Sequence, residues 1–280
     1  MNHFEQQWTS KDGLNLYSCG WLPDEAPKAV VCLVHGLGEH SGRYAHVAEY
    51  LNQAGYAVLS FDLRGHGQSG GKRGHAPSFE AFMQDIDLLM QEAQTRYPDL
   101  PCFIYGHSLG GILVLNYVLR RQPALAGVMA TSSGLRTSLE EQKFKIGMSK
   151  VLGALAPGMS MPTGLQAGDI SRDPAVVQRY QNDPLVHGMA TLGMANSLFG
   201  AIQWAFAHAS EWKLPLLLMH GSEDKIAYLR GSQEFAELTG SYATLKVWEG
   251  LAHECHNEPE KEQVLAFMLG WLESRLVEQP

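Results

Sequence analysis

The chain alternates short continuous apolar runs with segments whose apolar residues recur every three or four positions. Near its start, FEQQWTS and LNLYSCGWL flank the turn-like KDG, which predicts an antiparallel hairpin. AVVCLVHG follows as a β-branched and apolar run, the pattern of a strand buried on both faces. Helical spacing over Arg43–Ala54 stops at Gly55 and leads into the strand-like YAVLSFD. A longer helical period spans Phe79–Arg96, carried by Phe82, Ile86, Leu89 and Met90. PCFIYG, GGILVLNYVLRR and LAGVMATS then read as strand, helix and strand. Between about Leu135 and Lys213 the alternation lapses into KFKIGMSKVLGALAPGMSMPTGL, the polar turn SRDPAVVQRYQNDP and the helix-like TLGMANSLFGAIQWAFAHA. It resumes with LPLLLMHG as strand, Ala227–Thr239 as helix, ATLKVWEG as strand and a final helix from about Glu258. Asn257 and Glu260 have the spacing of a capping box before that helix, with Pro259 in its first turn. Such alternation predicts an α/β fold with a mostly parallel sheet and right-handed crossovers. The interruption reads as a helical lid over 135–212, inserted into a core formed by 1–134 and 213–280.

Composition narrows the partners more than the fold. Of 280 residues, 45% are hydrophobic and 18% charged, an ordinary globular balance. With 21 basic against 29 acidic side chains, the formal charge of -8 and the lack of a Lys/Arg cluster argue against nucleic acid. Cys19, Cys32, Cys102 and Cys255 lack metal-type spacing and read as packing thiols of a reducing compartment. The opening MNHFEQQWTSKDG has no basic segment followed by an apolar core, and no apolar run approaches the ~20 residues of a spanning helix. A cytoplasmic protein is expected, with transient membrane-surface contact through the lid.

The chemistry concentrates at GHSLG, which follows the strand PCFIY and opens a helix. This is the nucleophile-elbow pattern in the context it requires. Gly106 and Gly110 remove side chains where strand and helix cross, and Ser108 is lifted to the carboxyl edge of the sheet. Its hydroxyl then sits at a helix N-terminus, where the dipole favours developing negative charge. A serine needs a base and the base an orienting acid, in the chain order Ser, acid, His. Asp224 lies just past LPLLLMHG and is preferred to Glu223 on loop position. LAHECHNEP, past the next strand, offers His253 and His256. Their spacing is not the H-E-x-x-H of a zinc protease, so no metal and no organic cofactor are expected. Loop position alone leaves both histidines open. After the early strand, Gly36 and Gly38 let backbone turn inward, making the N–H groups of Leu37 and Leu109 the expected oxyanion donors.

From about Val30 onward, HGLGEHSGRY, FDLRGHGQSGGKRGH, GHSLGG, HGSEDKIA and the EG-x-x-H before the last helix occur in an order that resembles the monoacylglycerol lipase and lysophospholipase-like group of α/β-hydrolases. ISRDP and NDPLVH are similar to its lid segments. The resemblance implies an α/β-hydrolase fold: a mostly parallel eight-stranded sheet flanked by helices, with an inserted helical lid. It implies Ser108 as nucleophile, Asp224 as acid and His253 as base, and gives Glu39, Arg43, His107 and His256 to a polar pocket receiving the glycerol end of a lipid ester. From residue type alone, Glu39 and Arg43 are more often solvated loop charges, and His107 a filler of the elbow's variable position. Ala252 stands where the group often has tyrosine, Ala227 where mammalian forms have cysteine, and Leu37 where a smaller residue is usual. Arg64 and His66 read as organisers of the glycine-rich turn, and His35, His40 and His75 receive no catalytic role. The expected function is hydrolysis of a single-chain lipid ester, most simply monoacylglycerol. A lysophospholipase, carboxylesterase, thioesterase or aminopeptidase would use the same groups, and a non-catalytic ligand-binding relative is the reading from another class.

Overall fold

The computed structural model describes residues 2–137 and 155–277. It opens with the expected hairpin, β1 (Asn2–Thr9) and β2 (Asn15–Leu22), closed by a turn in which Gly13 has a positive φ and Ser10 Oγ accepts from Leu14 N–H. The alternating part runs β3 (Ala29–Val34), α1 (Ala45–Gln53), β4 (Tyr56–Phe61), α2 (Phe79–Arg96), β5 (Cys102–His107), α3 (Leu109–Arg121) and β6 (Gly127–Thr131). The insertion contains β7 (Ser160–Pro162), α4 (Pro174–Asn182), β8 (Met189–Thr191) and α5 (Leu192–His208). The core resumes with β9 (Leu216–Gly221), α6 (Leu229–Thr239), β10 (Ala243–Trp248) and α7 (Lys261–Val277).

Eight strands form one sheet in the order β1-β2-β4-β3-β5-β6-β9-β10. The hairpin joins it antiparallel through β2 and β4, and every later pair is parallel. Strand β3 shows why its sequence has no polar alternation. Val30, Cys32 and Val34 face a core shared with α2 and α3, whereas Val31 and Leu33 face one shared with α1 and α7. Both faces are dry, so both sets of alternate positions must be apolar. A buried ion pair ties the glycine-rich turn to α2: the Arg64 guanidinium donates to both Asp85 oxygens, at 2.6 and 2.8 Å. The four cysteines are free thiols, Cys32 and Cys102 packing with their sulfurs 3.9 Å apart.

Three sequence expectations need correction. Helix α4 lies within the stretch read as a polar turn. Asp173 Oδ1 accepts from Ala175 N–H as its N-cap and Pro174 opens its first turn, a start signal that the polar composition hid. The insertion also carries a two-stranded antiparallel ribbon, β7 with β8, beside its helices. No capping box precedes the last helix, which begins at Lys261. The Asn257 amide donates instead to the Glu254 carboxylate at 2.8 Å, and Glu260 pairs with Arg172. Asn257 closes the short 3-10 turn Cys255–Asn257 and Glu260 directly precedes the first helical residue, so Asn257 does not stand at the cap position. The KFKIGMSKVLGA part of the insertion lies outside the described residues. Helix α5 packs on α2 and α3 and puts Met194 and Ala205 into the main core.

Candidate active site

The carboxyl ends of β3, β5, β9 and β10 converge at one edge of the sheet, and the sequence-expected side chains follow those strands directly. Ser108 sits between β5 and α3 at φ 52, ψ -110, a left-handed conformation that costs a non-glycine residue about 1–3 kcal/mol. Neighbouring backbone holds it there: Ser108 N–H donates to Thr131 O at 2.9 Å, and Ile112 N–H donates to Ser108 O at 3.2 Å. The elbow also needs Gly110, because a Cβ there would lie 2.0 Å from Val34 O.

Asp224 is fixed by the turn after β9. Its Oδ1 accepts from the N–H groups of Ile226 and Ala227, both at 2.9 Å, which leaves Oδ2 facing the His253 Nδ1 at 2.8 Å. That geometry places the Nδ1 proton toward the acid and turns Nε2 away from it. The His253 ring lies 4.8 Å from that of His107, the residue before Ser108, so acid, imidazole and serine gather at one edge. Burial pulls the His253 imidazole down, but the Asp224 carboxylate overrides it and the net displacement is upward. Asp224 behaves conversely: burial raises it, and His253 and His220 together hold it well below the usual carboxylate range.

His220, given no role from the sequence, belongs to this array. It is fully buried at the end of β9, with Nε2 3.1 Å from Asp224 Oδ2 and 2.8 Å from Ala227 O, while Nδ1 is 2.8 Å from Ser232 Oγ. The signal was a histidine closing an apolar strand four positions before the acid.

Leu37 follows β3 and Leu109 opens α3. Neither N–H has a hydrogen-bond acceptor among the described residues. Gly38, at φ +75, permits the inward turn and packs against His187 O, where a Cβ would clash at 2.3 Å.

The four polar-pocket residues also come together, with a fifth that the sequence reading missed. Glu39 is buried; its Oε1 accepts from Gly36 N–H and Tyr44 Oη, both at 2.6 Å, and its Oε2 accepts from Arg43 at 2.5 Å. Arg43 spends its fork on Glu254, through two bonds of 2.7 Å, and lies over the Tyr180 ring. Burial opposes the charge on Glu39, but Arg43 keeps its carboxyl below the usual range. The His107 Nδ1 is 3.0 Å from Thr131 Oγ1, and burial pushes this imidazole down to about 3. His256 is buried, stacks on Tyr44 at 5.0 Å and meets His107 edge-on at 4.8 Å. Among the described residues both its ring nitrogens lack a hydrogen-bond partner, and burial holds it well below the ordinary imidazole value. Of the four, His256 is the side chain with both polar atoms free. Among the described residues, no group of three or more His, Cys, Asp or Glu is arranged to hold a metal ion.

Residues 25–260 match the family described as serine aminopeptidase, S33. The chain is 37% identical to a monoacylglycerol lipase of Mycolicibacterium smegmatis over 97% of this chain and 98% of the relative. It is 40% identical over 96% of its length to an uncharacterized abhydrolase domain-containing protein of Dictyostelium discoideum, of which it spans 28%. The crystal structure of Paleococcus ferrophilus monoacylglycerol lipase superimposes with a TM-score of 0.85 at 38% identity, covering 93% of this chain and 99% of that one. A match running from just after the hairpin to the start of the last helix, on a sheet of this topology, means that the chain belongs to the serine aminopeptidase S33 family of α/β-hydrolases.

Proposed function

We propose that this protein is a serine carboxylic ester hydrolase acting on monoacylglycerol through Ser108, His253 and Asp224. The observation that carries the reading is the 2.8 Å pairing of His253 Nδ1 with a buried Asp224 beside the strained Ser108 elbow. Relatives named monoacylglycerol lipase in two organisms supply the substrate class. His253 Nε2 takes the Ser108 proton as Oγ attacks the ester carbonyl, and the Leu37 and Leu109 N–H groups receive the oxyanion. Glycerol leaves with that proton, and water repeats the two steps on the acyl-enzyme. The acyl chain lies under the insertion, where burial favours binding by about 0.8 kcal/mol per methylene. Leu155, Met159, Met161 and Leu165 are exposed on the insertion, which supports transient contact with a lipid surface. No described helix is long and apolar enough to cross a membrane. The free thiols support a reducing, cytoplasmic setting.

A panel of lipid and p-nitrophenyl esters tests this reading. Monoacylglycerol should be the preferred lipid, and Ser108→Ala should reduce turnover to the blank; equal turnover by the variant would sink the assignment. His256 is the glycerol contact in this account, because its ring nitrogens are unpaired. His256→Ala should therefore raise KM for monoacylglycerol severalfold and leave turnover of a p-nitrophenyl ester nearly unchanged. A collapse of kcat on both substrates would contradict that division.

The pH profile has a defined sign. His253 works as a base only when neutral, and its displacement is upward, so kcat/KM should climb with pH through a limb above the ordinary imidazole value of ~6.5. Asp224→Asn removes the group that raises it, and the limb should move to lower pH. The stability contributed by the His253–Asp224 pairing through this upward displacement is complete below the unfolded value and lost as pH rises through the folded one.

A further inference from the structure

The Arg43 guanidinium is not free to receive an anion. Its NH1 bridges Glu39 Oε2 and Glu254 Oε1, and its NH2 takes Glu254 Oε2. Glu254 is itself buried, is the residue directly after His253, and accepts a further bond from Asn257. One cation therefore stands between two carboxylates, and the trio carries a net negative charge. The trio is close to the chemistry. The position a Cβ would take on Gly36 is 2.6 Å from Glu39 Oε1 and 3.4 Å from Ser108 Cβ, so both lie against Gly36 in a space too small for a methyl group. Little else balances it: burial displaces the His107, His256 and His46 imidazoles toward their neutral forms, Arg179 lines the cavity outside Arg43 together with Asp183, a carboxylate that offsets it, and Asp224 adds a further carboxylate behind His253.

Resting on the monoacylglycerol reading, we propose that Glu254 is a specificity-determining residue: its carboxylate neutralises Arg43 and, together with Glu39, makes the polar end of the site reject anionic headgroups. Arg43 alone beside Glu39 would leave this end neutral and open to a phosphate. The second carboxylate makes the local field repulsive and occupies the fork that would clasp phosphate bidentately. Glu254 does not touch the reacting atoms. It acts through the charge and orientation of Arg43, and its own N–H bond to Ile170 O, at 2.8 Å, joins it to the insertion.

The test compares octanoylglycerol with octanoyl lysophosphatidic acid, two esters of one acyl chain that differ by the phosphate. Active-site titration with a fluorophosphonate counts competent enzyme, and the readout is the ratio of the two kcat/KM values. Wild type should favour the neutral ester by about a hundredfold. Glu254→Gln should narrow that ratio by about tenfold, the scale of one unit charge across a partly solvated pocket, and Glu254→Asp should retain the wild-type ratio. A wild-type ratio near one overturns the proposal whatever becomes of the variants, and so does an unchanged ratio in Glu254→Gln. Wild type that labels with fluorophosphonate yet cleaves neither lipid refutes the monoacylglycerol reading, and this inference falls with it. A preserved monoacylglycerol activity with an insensitive ratio refutes the inference alone.

Discussion

With His253 replaced by alanine, kcat on any ester is expected to fall by about a millionfold, as for loss of the base in other serine hydrolases. The size of the loss follows from how little else can serve. Ser108 has no intrinsic tendency to ionise, and His107 and His256 are buried, displaced toward neutrality and, among the described residues, hydrogen-bonded to no carboxylate. Asp224→Asn should cost about ten-thousandfold while keeping the fold. The amide can donate where the carboxylate accepts, which favours the wrong tautomer of His253. It also disturbs His220, whose Nε2 faces the same Oδ2. Stopped assays at high enzyme concentration, with fluorophosphonate labelling to detect traces of wild type, measure both losses. A loss of only tenfold in His253→Ala would move the base to another residue.

The second large effect is on stability and comes from a methyl group. Gly110→Ala should destabilise by about 3 kcal/mol or more, because the added Cβ falls 2.0 Å from Val34 O and 2.7 Å from His35 O. Both are backbone atoms at the end of a central strand, and neither can swing away. The first turn of α3 must then move off β3, which also displaces Leu109 N–H from the place where an oxyanion would form. For a chain of this size the melting temperature should drop by roughly 6–12 °C. Gly270 provides the contrast. It lies within α7 with nothing within 4 Å of its would-be Cβ, so Gly270→Ala should stabilise by about 0.5–1 kcal/mol. Parallel thermal melts compare the two, and equal shifts would mean that the close approach at Gly110 is not what fixes the elbow.

The sheet was legible because its strands are short apolar runs with dry faces on both sides, and its mostly parallel pairing followed from alternation with helices. Ser108 was legible for a related reason: the elbow is a local motif whose glycines are demanded by backbone clashes within a few residues. Asp224 was preferred to Glu223 by its position past a strand, whereas position left His253 and His256 both open and the family resemblance chose His253. What stayed hidden depends on partners far away in sequence. From residue type alone Glu39 and Arg43 read as solvated charges, and the partner that buries Arg43, Glu254, lies 211 positions beyond it. Helix α4 was obscured by its polar sequence, although Asp173 and Pro174 mark its start. The expected cap at Asn257 failed because Asn257 closes a short 3-10 turn and the helix begins only at Lys261.

If Ser108 is an activated nucleophile served by His253, it should react with an electrophile that ordinary serines ignore. Labelling the wild-type protein with a fluorophosphonate and mapping the adduct by peptide mass spectrometry tests it most directly. One stoichiometric adduct on the peptide containing Ser108 is expected, with labelling slowed by orders of magnitude in His253→Ala. An unlabelled protein, or an adduct on any other residue, would contradict it.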